Sequence, residues 1–197
     1  MSSFGIAIIT ATVSFAATNI DDIFVLVLFF SQAGRGLRTA HIVGGQYLGF
    51  SALVVISLVG FFGGRVLPRP WVGLLGIVPI LVGVRRWVRR HDPPVHTKVS
   101  GSASTATVAA VTFSNGGDNI GVYTPLFAST DTAHLVVTLI TFYVLLALWC
   151  FVGYRITRHP AIGRVLSRYG HIVVPFVLVA LGFYIMSQSG TFKLLRL

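Results

Sequence analysis

The chain is short of charge and shorter still of acid: charged residues are 10% of its 197 positions, and its five acids are all Asp. Soluble domains carry about 25% charged residues, so an ordinary soluble globular fold is excluded. A single cysteine excludes an internal disulfide framework and any Cys-rich metal site. Met1-Ser2-Ser3-Phe4 lacks a basic n-region and a small-residue cleavage site, so no removable signal peptide is expected. What the chain does have is apolar sequence, 54% hydrophobic residues gathered in long runs. The formal charge of +10 does not point to nucleic acid, because the basic residues fall in short clusters between those runs. This is the composition of an integral membrane protein in a lipid bilayer.

A hydrocarbon core about 30 Å thick takes roughly 20 apolar residues per helix. Six stretches qualify, at 4–30, 42–62, 71–84, 106–127, 135–153 and 172–186. The third and sixth are short, and snorkelling Arg and Lys make an extension of each into its flanks inexpensive. The expectation is an all-α polytopic membrane protein forming one transmembrane domain over 1–197. Lys and Arg fix its direction. Eleven lie in the segments after spans one, three and five, among them Arg38, Arg85, Arg86, Arg155 and Arg158, against four on the other side. The eleven-residue side is therefore expected in the cytoplasm and both termini outside, with anionic lipid a suitable partner for the basic excess.

The chain also repeats itself. Asp21-Asp22-Ile23-Phe24-Val25 resembles Asp118-Asn119-Ile120-Gly121-Val122 at an offset of 97, and Val78-Pro79-Ile80 resembles Val174-Pro175-Phe176 at 96. His41 and His134 open spans two and five, and Val59-Gly60 recurs as Val152-Gly153. The matches keep their order, which divides the chain into a first three-helix repeat (1–90), a cytoplasmic linker (91–105) and a second repeat (106–197). Three helices per half is odd, so the second half must be inverted relative to the first. Inverted repeats around a midplane site on discontinuous helices are a recurring plan of secondary transporters.

Asp92 and Asp131 fall in loops, while Asp21, Asp22 and Asp118 fall inside spans one and four. An Asp at a helix centre costs about 2.5–3.5 kcal/mol on insertion scales, and no Lys or Arg lies inside a span to offset it. Adjacent residues on an α-helix point about 100° apart, so Asp21 and Asp22 share a target only if the helix unwinds there. Gly116-Gly117 offers a similar break in span four. An unwound turn at this depth must line a cavity or be buried in protein. With Asn19, Asn115 and Asn119 the carboxylates make an oxygen-rich set suited to a divalent cation. Binding would displace protons, a route to proton–metal exchange. Thr18, Ser114, Tyr123 and Thr124 are candidates for the substrate path.

Ala17-Thr18-Asn19-Ile20-Asp21-Asp22-Ile23-Phe24-Val25-Leu26 and Asn115-Gly116-Gly117-Asp118-Asn119-Ile120-Gly121-Val122-Tyr123 resemble the paired signatures of the cadmium resistance transporter (Cad) family, within the LysE-type transporter superfamily. The resemblance implies a bacterial inner-membrane exporter giving cadmium resistance, with the acidic pair and Asp118 at the transport site and no resident cofactor. Ligand type alone suits Mn²⁺ or Ca²⁺ better, since cadmium is soft and the one thiol, Cys150, reads as a packing residue. Cadmium is close to Ca²⁺ in size and accepts oxygen. Gln32, Gln46 and Tyr47 are placed either in a cytoplasmic vestibule or at headgroup level. Export of Mn, Zn or Ca, or of small cationic or zwitterionic metabolites, remains as the alternative, and a homo-oligomer is left open. An enzyme is not expected: intramembrane aspartyl proteases use a Tyr-Asp pair and a Gly-x-Gly-Asp segment, and neither occurs around Asp21, Asp22 or Asp118. A passive channel fits less well, because channels usually build ligand rings by symmetry.

Overall fold

The computed structural model describes residues 3–20, 22–33, 37–88, 104–157, 175–189 and 191. Asp21, linker residues 91–103 and the basic segment 158–174 lie outside the described residues. The elements in chain order are α1 (Ser3–Asn19), α2 (Asp22–Ser31), α3 (Thr39–Val66), α4 (Arg69–Leu74), α5 (Ile77–Val88), α6 (Thr105–Asn115), α7 (Gly117–Ala128) and α8 (Thr132–Ile156). A ninth helix, α9, covers Pro175–Gln188. No strand forms among the described residues.

Two helices, α3 with 28 residues and α8 with 25, are each long and apolar enough to cross a membrane. At 1.5 Å per residue they reach about 42 and 37 Å, more than the ~30 Å of hydrocarbon. They outrun the stretches expected from hydropathy because their polar ends extend the helix. Asp131 caps α8 through the His134 N–H at 2.9 Å, and Arg65 ends α3 with its guanidinium 3.8 Å from the Phe61 ring centroid. The first expected span is two helices: α1 and α2 pass as one apolar crossing but are bent by 62° at a break. The third is also interrupted, between α4 and α5. Pro79 sits in the first turn of α5, where its missing N–H needs no partner; in a continuous helix its ring would strike the carbonyl of Leu75. The fourth expected span is α6 and α7, with Gly116 between them.

Contacts give the directions. Phe4 stacks on His134 at 4.9 Å and Leu26 packs on Gly153, so α1 and α2 run alongside α8 in the same sense. Gly45 meets Thr105, Gly49 meets Thr112 and Gly60 meets Thr124, so α3 runs parallel to α6 and α7. Gly76 meets Gly182 and Gly83 meets Pro175, which sets α5 antiparallel to α9. Arg38, Arg85 and Arg155 thereby collect at one end of the bundle, with Ser3, Arg65, Asp131 and Gln188 at the other.

Lipid is as apolar as leucine, so helices in a bilayer associate by close packing more than by a hydrophobic gain. On α3 that packing depends on glycine. A Cβ at Gly60 would collide with the Thr124 carbonyl, and one at Gly64 with the Ala128 carbonyl. Phe15, Phe50, Tyr123, Phe127 and Phe142, all 0% exposed, join α1, α3, α7 and α8 in one core cluster.

Candidate functional site

Two helix breaks face each other inside the bundle. α1 stops at Asn19 and α2 starts at Asp22; α6 stops at Asn115 and α7 starts at Gly117, with Asp118 in its first turn. Each break leaves carbonyls of one half-helix and N–H groups of the next without intrahelical partners. Asp22 and Asp118 both occupy the first turn of a half-helix, where the macrodipole favours a negative charge.

Side chains close the gap between the breaks. Asn115 donates its Nδ2 to Asp22 Oδ1. Asn19 Nδ2 donates to Phe15 O, Thr18 Oγ1 and Tyr123 Oη, each at 2.9 Å. Thr18 Oγ1 donates to Ser14 O at 3.0 Å and lies 2.9 Å from Tyr123 Oη. Asn119 Nδ2 donates to Asn19 Oδ1 at 3.3 Å and to Tyr123 Oη at 3.4 Å. Thr18, Asn19, Asn119 and Tyr123 are all buried, and Asn119 Oδ1 has no hydrogen-bond partner. Asp22 is buried at 4% exposure, and both it and Asp118 lie within electrostatic reach of the Tyr123 hydroxyl. A family model described as Cadmium resistance transporter matches the chain over residues 15–197, which includes both breaks.

The chain belongs to the Cad family of cadmium resistance transporters. This is a transporter family and not a family of enzymes. Comparison with curated proteins and with solved structures returned no match.

In this Cad-family protein the expected ligands converge in part. Asn19 and Asn119 meet directly, and Asp22 meets Asn115. Asp21 lies outside the described residues. Among the described residues no three His, Cys, Asp or Glu side chains come together; the convergence is of carboxamides and hydroxyls, with Asp22 and Asp118 beside them. Ser114 is exposed, and Thr124 packs on Gly60 of α3. Gly116 stands at the break, but its φ of −85° and ψ of 23° are open to most residues. The Leu53 methyl groups occupy the space a Cβ would take there, so a side chain would oblige Leu53 to move. Gly117 has nothing within 4 Å of that position. Cys150 belongs to an apolar cluster with Leu26, Phe29 and Phe30.

Two features of the site went unread in the sequence. Trp149 of α8 donates its indole N–H to Asn19 O at 2.7 Å, satisfying a carbonyl that the end of α1 leaves free. The three Asn of the site are also the only Asn in the chain, a compositional signal. A cavity of about 510 Å³ opens at the end opposite Arg38 and Arg155, lined by Ser3, Thr10, Arg65, Asp131, His134 and Gln188 among others. The Phe15, Phe127 and Phe142 rings lie between that cavity and the breaks, Tyr123 stacking on Phe127 at 6.0 Å and meeting Phe142 at 4.5 Å. At the cavity rim the His134 N–H donates to Asp131, which holds that carboxyl below its usual range.

Proposed function

We propose that this protein exports divalent heavy-metal cations, cadmium first, from the cytoplasm by alternating access around Asp21, Asp22 and Asp118, with Asn19, Asn115 and Asn119 completing the shell. The observation that carries this reading is the pair of facing breaks, each with an Asn where one half-helix ends and an Asp in the first turn of the next. Asn119 Oδ1, buried and unpartnered, is the kind of oxygen a cation satisfies. In this reading the six apolar segments are six spans in two inverted halves. The alternating helix directions support that reading, as does the exchange in which α3 of the first half braces α6 and α7 while α8 of the second braces α1 and α2. The arginine-rich end is then cytoplasmic and the 510 Å³ cavity faces outward, closed from the site by the aromatic rings. A bacterial inner membrane is the location the family resemblance implies. Metal binding between carboxylates displaces protons, so exchange for protons is the energy source we assign.

The test is cadmium tolerance and retained cadmium in a sensitive bacterium, comparing wild type with Asp22→Asn and Asp118→Asn at matched membrane expression. Tolerance with low retained cadmium, lost in both variants, is the expected result. No tolerance from well-expressed wild type removes cadmium as the substrate, and tolerance surviving in both variants removes the assigned site. Mn²⁺, Zn²⁺ and cationic amino acids in the same strains decide among the other cargoes.

A further inference from the structure

Three buried side-chain atoms among the described residues lack a hydrogen-bond partner: His41 Nδ1, Gln46 Nε2 and Asn119 Oδ1. Asn119 belongs to the breaks. The other two lie on α3, between the breaks and the end of the bundle that carries Arg38 and Arg155. Thr112 Oγ1 donates to Gln46 Oε1 at 2.7 Å, and both residues are 2% exposed. Thr112 precedes Asn115 by one helical turn, about 4.5 Å of rise, and Asn115 donates to Asp22. Gln46 with Thr112, and Asn115 with Asp22, therefore follow one another inward, whereas His41, five residues before Gln46, points about 140° away from it on α3.

We propose that Gln46 and Thr112 form the innermost station on the path by which the divalent cation reaches the broken helices. The inference rests on the transport reading above. A buried amide edge without a partner is tolerated in a bilayer only where water or a polar ligand arrives. Turning the Gln46 amide by 180° lets Nε2 donate to the Thr112 hydroxyl and presents Oε1 to a cation or to the water it carries.

The test uses the full chain in liposomes with Cd²⁺ alone, measuring initial uptake at low concentration beside equilibrium binding in detergent. Gln46→Leu is expected to slow uptake by about tenfold, the equivalent of one lost hydrogen bond, while equilibrium affinity stays near wild type. Unchanged uptake in this variant overturns the path. So does an affinity loss as large as the rate loss, which would make Gln46 part of the break site. Because Gln46→Leu could fail to fold, a second variant, Gln46→Cys with Cys150→Ala, is probed with an impermeant thiol reagent. Labelling from the arginine-rich face with protection by Cd²⁺ is expected, and no labelling from that face overturns the proposal. Wild type that moves no Cd²⁺ removes the transport reading and this inference with it; normal transport with unaltered variants removes only the inference.

Discussion

Replacing Asn119 with leucine should leave the metal-free protein about as stable as wild type while abolishing its response to cadmium. Asn119 Nδ2 makes two long contacts, to Asn19 Oδ1 at 3.3 Å and Tyr123 Oη at 3.4 Å, and Oδ1 makes none. Contacts of that length contribute about 0.5 kcal/mol each. Removing the orphaned oxygen relieves a penalty of about 1–3 kcal/mol, and leaving Asn19 Oδ1 without its donor restores a similar one. The balance is a change of about 1 kcal/mol or less, because one unpartnered oxygen is exchanged for another. With metal the two proteins separate. A ligand at 100 times its Kd stabilises by about 2.7 kcal/mol, whereas a site weakened a hundredfold gains only about 0.4 kcal/mol at the same concentration. Thermal unfolding in detergent, with and without Cd²⁺, reads both quantities. Strong destabilisation without metal, about 3 kcal/mol or more, would show that the Asn119 carboxamide is structural. A full cadmium shift in Asn119→Leu would remove Asn119 from the cation's shell.

Three further outcomes follow from the packing. Gly64→Ala should destabilise by about 1–3 kcal/mol, since its Cβ meets the Ala128 backbone; Gly63→Ala, with open space, should be neutral or gain up to about 1 kcal/mol. Equal thermal midpoints for the pair would contradict the close α3–α7 approach. Trp149→Phe frees the Asn19 carbonyl at the end of α1, and should lower stability by about 1–3 kcal/mol and weaken Cd²⁺ binding; a wild-type binding isotherm would show that α8 does not hold the break. Asp131→Ala removes the N-cap of α8, worth about 1 kcal/mol. The backbone N–H of His134 holds the Asp131 carboxyl below the ordinary aspartate range, so its stabilisation is complete above that range and fades as pH falls through the lower folded-state value. The wild-type advantage over Asp131→Ala should therefore persist at neutral pH and disappear in acid, which unfolding midpoints across that range would check.

Much of the candidate site was legible because its residues are ones that a bilayer otherwise excludes. Asp in an apolar run has few explanations besides a functional one, and two adjacent Asp force the helix to unwind if both are to serve. The second break was open to reading through Gly116, which stands between α6 and α7; the Leu53 methyl groups beside it were not, because Leu53 is far away in sequence. The interruption between α4 and α5 was open to reading through Pro79, and the Gly-x-x-x-Gly spacings at Gly45/Gly49 and Gly60/Gly64 announce a helix-contact face. Trp149 was beyond reach. Its partner lies 130 positions away, and nothing local distinguishes this indole from one facing lipid.

The packing also bears on how a bound ion could be coupled to motion. Contacts are dense between α3 and the broken pair α6 and α7, and between α8 and the broken pair α1 and α2; those between α2 and α3 or α6 are sparse. Glycine contacts hold the first group at backbone distance, so α3 and α7 cannot slide apart without losing most of their interface. The groups meet through polar bonds, Asp22 with Asn115 and Thr18 and Asn19 with Asn119 and Tyr123, and through one apolar core in which Phe15, Phe50, Tyr123, Phe127 and Phe142 pack together. Hydrogen bonds of this kind exchange partners at a net change of about 1 kcal/mol, whereas the aromatic core must repack if the groups move. In the proposed transport reading, an ion bridging the breaks would act on the polar part of that interface. Its differential affinity for the two arrangements of that interface is the only free energy it can contribute to switching between them.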